Sequence, residues 1–256
     1  MATGRDLPRT LQTFETSKRT GYAPNVADLL KHLFLTHGYF VSGLAISRKP
    51  RDTIRGEGSS MAQAVFETFP VTEEEIERLS ASDSGYRFER SSNGELIVSP
   101  PSGTSSSARN FDLALQMGNW NKAHAHGIAT NSEGGFVLPD GAIFAPDAAW
   151  FPKRRLEAVP KERLEKFLPL CPDVVFEVLS PSDRHPVTRT KIEVFMRNGS
   201  RLGVFIDPYK RIVEIHRCDR KLERLENPSR VTLEGTYFEG ADADLTLEMT
   251  PIFDPF

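Results

Sequence analysis

Two carboxylates stand where the chain is otherwise apolar. Glu177 lies inside Val174-Val175-Phe176-Glu177-Val178-Leu179, and Asp147 lies inside Ala145-Pro146-Asp147-Ala148-Ala149-Trp150-Phe151. A carboxylate buried in such a run is costly unless it is paired, hydrogen-bonded or bound to a metal. If the two segments are neighbouring strands, the carboxylates converge, and like charges a few ångströms apart repel unless a cation lies between them. Hard oxygen ligands of this kind suit Mg2+ or Mn2+ rather than Zn2+. A lysine within reach, Lys191, could stabilise an anionic transition state or help orient a water. Together these parts suit metal-assisted hydrolysis of a phosphodiester. Each part also has a plainer reading. Glu177 could pair with an Arg of a neighbouring strand, Lys191 could be an ordinary exposed lysine, and Pro-Asp pairs and lone strand glutamates are common.

The elements around these residues can be read from pattern. Residues 173–179, an apolar run rich in β-branched residues between Pro172 and Pro181, read as a central strand buried on both faces. The SPSD turn follows. A helix over 187–197 then carries Lys191 as its fifth residue, with Ile192, Phe195 and Met196 towards the core, and Gly199 lies near its C-cap. Upstream, Thr72 followed by Glu73, Glu74 and Glu75 signals a capping box for a short helix to about Leu79. Asn93-Gly94 predicts a hairpin between Tyr86–Arg90 and Glu95–Ser99. A long helix is expected from about Ser106 to Ala125. On it Phe111, Leu115, Gly118 and Lys122 share a face, with Leu113, Met117 and Trp120 beside it. Short strands are expected at 127–132, 135–138 and 142–144, then at 202–208 and 211–217, and the tail reads as a final hairpin. The fold class is therefore mixed α/β, a curved sheet flanked by helices.

Composition narrows the setting without naming a function. Lys and Arg number 32 against 35 Asp and Glu, a formal charge of −3, so no global charge argues for nucleic acid, although a local basic groove is compatible with it. Two cysteines, Cys171 and Cys218, are too few for a disulfide framework and lack metal-ligand spacing, so a cytoplasmic location is expected. No stretch approaches the roughly 20 apolar residues of a membrane helix, and no signal peptide is evident. Residues 1–60 differ from the rest: polar, then one apolar patch around Leu29, Leu30, Leu33 and Phe34, then a charged linker. They are expected to form a poorly ordered extension, with 61–256 as the folded domain. An accessory element packing through the apolar patch is the alternative.

Several segments resemble the Uma-type restriction endonucleases, a group within the PD-(D/E)XK nuclease superfamily. They are NGELIVSPPSGTSS, GGFVLPDGAIFAPDAAWF, DVVFEVLSPSDR, Lys191 with its helix, and LGVFIDP, in that order. The resemblance implies a restriction-endonuclease-like core and Mg2+-dependent cleavage of DNA. By position it makes Asp147 and Glu177 the metal carboxylates and Lys191 the catalytic lysine. It also places the first hairpin, with Glu89 and Glu95, near the site; Glu95, just after Gly94, reads better as a turn-flanking residue. The broad superfamily pattern wants a lysine two residues after the acid, where this chain has Leu179. The Uma-type group shares that departure and moves the lysine into the helix. Phe195 stands where that group usually has Tyr. Cutting both strands of a duplex would suit a homodimer. The alternative function is a catalytically silent module on the same fold that binds nucleic acid or a protein.

Other polar residues have structural readings. His124 and His126 fit a solvated helix end better than a metal site. Asp207 before Pro208 is expected to cap local amides. Ser180 and Ser182 shape the turn after the strand, and Ser102–Ser107 lead into a helix rather than forming a nucleophile motif.

Overall fold

A computed structural model gives the structure of residues 64–81, 86–99, 101–181 and 185–256. The expectations for residues 1–60 and for Ser182 lie outside these described residues.

The chain begins with strand β1 (Ala64–Pro70), helix α1 (Glu73–Ser80), and the hairpin β2 (Arg87–Arg90) and β3 (Glu95–Ser99). Helix α2 (Thr104–Trp120) continues into one π-type turn, 121–125, and strands β4 (Ile128–Asn131), β5 (Phe136–Val137), β6 (Ile143–Phe144) and β7 (Ala148–Phe151) follow. Then come β8 (Val174–Val178), α3 (His185–Arg197), β9 (Leu202–Asp207), β10 (Ile212–Arg217) and β11 (Arg220–Glu226). The chain ends in β12 (Arg230–Leu233), β13 (Leu245–Glu248) and the short α4 (Thr250–Phe253).

Local sequence explains the well-predicted elements. Thr72 accepts a hydrogen bond from the Glu75 amide, and Glu75 Oε2 accepts one from the Thr72 amide, which is the expected capping box on α1. Gly94 takes a φ of 85°, which the tight turn between β2 and β3 requires and a side chain resists.

The strands form two main sheets. One has the order β1-β3-β2-β6-β5, with every pair antiparallel. The other runs β11-β10-β9-β8-β7-β4 and is mixed, because β8 and β9 are parallel and are joined through α3. Residue alternation splits the second sheet into two apolar faces. Val174, Phe176, Val178, Val204 and Ile206 face Leu113, Met117 and Trp120 of α2. Val175, Phe205, Ala149 and Phe151 share the other cluster with Ile192 and Phe195 of α3. A Cβ on Gly203 would lie 2.8 Å from Ile192 Cγ2, so the glycine lets α3 sit close on β9.

Some expectations are corrected. Phe111 is 69% exposed and Leu115 is also exposed, so α2 turns its Leu113–Met117–Trp120 stripe inward instead. Strand β11 was not expected because its sequence, RKLERLE, has no apolar alternation and is almost wholly exposed. It forms a charged edge strand, of the kind that discourages further pairing. Strand β1 was also missed. The tail strands β12 and β13 do pair, but as a separate two-stranded sheet with a 3-10 turn between them. No helix among the described residues is long and apolar enough to cross a membrane.

Candidate active site

The register of the mixed sheet brings the two carboxylates together. Strand β7 pairs antiparallel with β8, with Ala148 opposite Phe176. Asp147 immediately precedes β7, and its charge acts on Glu177 in the adjacent strand. There the chain stops making ladder bonds, and the Asp147 side chain takes over: its Oδ2 accepts a hydrogen bond from the Val178 amide at 2.8 Å. Its Oδ1 accepts one from Asn110 Nδ2 of α2 at 2.7 Å, and Arg87 of β2 stands 4.0 Å from the same oxygen.

Lys191 is not at an exposed edge. It is 8% exposed and sits between the two sheets. Its ammonium lies 2.8 Å from Glu177 Oε1, 2.8 Å from Glu89 Oε1 and 2.8 Å from the Ala145 carbonyl, and the Phe144 ring centroid is 5.5 Å away. Glu89, from β2, also accepts the Ala145 amide at 2.9 Å. Glu89 therefore ties the antiparallel sheet to the segment that leads into Asp147. The plain reading of Glu177, an Arg partner on a neighbouring strand, does not hold: its partner is the lysine of α3.

The charges in this cluster do not balance. Glu89 and Glu177 share one buried ammonium, and Asp147 is a third buried carboxylate whose charge reaches Glu177, with the partly exposed Arg87 4.0 Å from it. Burial pushes the Glu177 carboxyl up to about 8, and the charges of Asp147 and Glu89 add to this, against the pull of Lys191. Burial pushes Glu89 up as well, but the Lys191 charge, then Arg87 and hydrogen bonds from Lys191 and the Ala145 amide, bring it below the usual carboxylate value. Burial disfavours the Lys191 ammonium, yet Glu177 and Glu89 outweigh burial and raise its pKa.

A divalent cation fits this deficit. Among the described residues no three His, Cys, Asp or Glu side chains are grouped to hold a metal. Asp147 and Glu177 can supply two carboxylates, and a hard cation such as Mg2+ commonly keeps waters in its remaining positions. Glu177 Oε1 is buried 2.8 Å from the ammonium.

The other sequence candidates fall outside the cluster. Glu95 accepts a hydrogen bond from Ser91 Oγ across the hairpin turn, as its turn-flanking reading expects. His124 meets Asp242 at the surface, and His126 ends the π-type turn in a left-handed conformation. Asp207 caps the amides of Tyr209 and Lys210. Leu179 is buried among apolar neighbours, and Ser180 is half-buried in the turn. Two site residues had not been singled out. Asn110 gave no signal in a polar helix start. Arg87 did give one: Arg87 and Glu89 alternate in a strand and so share a face.

The chain is similar to known proteins. The Uma2 family model, described as "Putative restriction endonuclease", matches residues 73–247. A crystal structure from Anabaena variabilis ATCC 29413, described as a "putative nuclease belonging to DUF820", superposes with a TM-score of 0.58 at 19% identity. The match covers 72% of this chain and 98% of that one, and supports the fold. No curated protein matches the chain.

Proposed function

The chain belongs to the Uma2 family, and from that premise we propose that it is a Mg2+- or Mn2+-dependent endonuclease that hydrolyses DNA phosphodiester bonds. The observation that carries the reading is the charge deficit: Glu89 and Glu177 share one buried ammonium, and a third buried carboxylate, Asp147, acts on Glu177 where strand β7 begins. Asp147 and Glu177 would hold the cation. When bound, it supplies a Lewis acid for the phosphoryl oxygen and a more acidic water. Asn110 and the Val178 amide fix the Asp147 carboxylate. Glu177 would hold the cation in its ionised form. Lys191 presents a positive charge to the anionic transition state, in the role usually given to a strand lysine. Glu89 is a positioning residue that holds the ammonium and the Ala145 amide. A two-fold dimer would suit cleavage of both strands of a duplex, and a cytoplasmic enzyme fits the free, unpatterned cysteines.

One observation favours the silent-module reading: Lys191 already has three partners, which would satisfy all three N–H groups without a substrate. A nicking assay decides between them. Supercoiled plasmid and single-stranded DNA are incubated with the wild-type chain in Mg2+, Mn2+ or chelator, beside Asp147→Asn. Cleavage that needs metal and disappears in the variant supports the enzyme. No cleavage of either DNA in either metal leaves the silent module.

A further inference from the structure

Among the described residues the cluster borders a cleft, and the walls of that cleft have a chemistry of their own. The side chains of Glu89, Glu177 and Lys191 are nearly closed off, and Asp147 is the member that lines a cavity of about 670 Å³. Arg87, Asn110, Phe111, Asn131 and Glu133 also line it. This volume is in the range of small-molecule sites. A cleft of this size suits one or two unpaired nucleotides beside Asp147.

Phe111 supports the same conclusion. It is 69% exposed on the rigid α2, immediately after the Asn110 that holds Asp147. A large aromatic side chain held in water at the wall of a cleft forgoes the hydrophobic gain of burial, and its free face suits stacking on an unpaired base. Arg87, with a third of its side chain exposed beside Asp147, suits a phosphate oxygen. Asn131 offers an amide for a base edge. Glu133 works against a polyanion, so stacking has to supply much of the affinity.

Resting on the nuclease reading above, we infer that the cleft takes an unpaired, unstacked stretch of DNA, with Phe111 stacking a base next to the phosphate that meets Arg87 and Asp147. An unpaired strand does not need a two-fold dimer.

The test reads binding and cleavage separately. A fluorescein-labelled oligonucleotide, single-stranded or annealed to its complement, is titrated by anisotropy in chelator with wild type, Phe111→Ala, Phe111→Leu and Phe111→Trp. The exposed site makes misfolding of these variants no obstacle, and gel filtration follows their oligomeric state. The expected result is tighter binding of the single strand than of the duplex. Phe111→Ala and Phe111→Leu should weaken that binding about tenfold to a hundredfold, while Phe111→Trp restores it. Wild-type binding by Phe111→Ala or Phe111→Leu overturns the inference, as does a preference for duplex. A change of oligomeric state with unchanged DNA affinity also overturns it, because Phe111 then serves a second copy. Parallel incubations in Mg2+ and Mn2+ read the nuclease itself. Phe111-dependent binding without cleavage would uphold the cleft inference and refute the enzyme.

Discussion

Two buried glutamates lie on the same face of the same sheet and are treated in opposite ways. In the register of the mixed sheet, Glu177 of β8 stands beside Phe205 of β9, and Phe205 stands beside Glu214 of β10. With strands about 4.8 Å apart, the two carboxylates flank one phenylalanine at roughly 10 Å backbone spacing. Helix α3 supplies a cation to each. Glu214, 1% exposed, receives both oxygens' worth of the Arg189 fork and has Arg224 at 3.6 Å. Glu177 receives one oxygen's contact from Lys191, which it shares with Glu89. One carboxylate is thus over-supplied with positive charge and the other under-supplied. A buried acid with a complete bidentate partner is structural. Glu177, which lacks that charge and feels a second carboxylate, Asp147, is where the proposed cation would be held. Burial of a glutamate does not separate the two cases; the balance of charge around it does.

The largest break in this comparison comes from Lys191→Ala. It leaves Glu89 and Glu177 buried with no ammonium, so denaturant unfolding should show a loss of about 3–5 kcal/mol, along with loss of cleavage. Because Lys191 is deeply buried, its removal acts on folding as well as on chemistry. The double variant Lys191→Met with Glu89→Gln should recover most of that stability and still not cleave. If it cleaves, Lys191 is only a strut.

Glu214→Gln should have a smaller effect. It costs roughly 1–3 kcal/mol through the lost charge-assisted bonds, discounted because Arg189 can turn towards solvent. Metal affinity by calorimetry and cleavage should stay at wild-type values. A drop in metal affinity would show that the two glutamates act as one network and would end the contrast.

The smallest stability effect, and the sharpest, belongs to Glu177→Gln. The folded-state value near 8 lies above the usual 4.5, so the neutral acid is favoured in the folded chain. Its stabilising contribution is complete below the unfolded value and is lost as pH rises through about 8. Near pH 4, where Glu177 carries its proton in both the folded and the unfolded chain, the variant should match wild type within about 1 kcal/mol, and wild type should fall progressively behind as pH rises from there towards 8. Above pH 8, without metal, it should be the more stable of the two. Wild-type affinity for Mg2+ should rise with pH towards 8, and the variant should show weak, pH-independent binding by calorimetry. A pH-independent stability difference between the two chains would show that Glu177 is already ionised and paired.

Much of this could be read from the residues in order. The capping box at Thr72, the Asn93-Gly94 hairpin, the buried strand at 174–178 and the helix that carries Lys191 each depend on contacts within a few positions. Their side chains report them directly. The same holds for the anomaly of Glu177 and Asp147, since an acid in an apolar run is visible without coordinates. The tertiary structure alone decided which groups those acids would meet. Glu89 reaches Lys191 from another sheet, Asn110 reaches Asp147 from α2, and α2 buries Leu113 while leaving Phe111 in the cleft. Helical periodicity puts residues on a face, but which face turns inward is chosen by the sheet beneath. Whether Glu177 keeps its proton depends on charges brought close by folding: Asp147 and Glu89, 30 and 88 residues earlier in the chain, as well as Lys191, 14 residues later. Electrostatic energy follows distance in space, and no pattern in one dimension carries that distance.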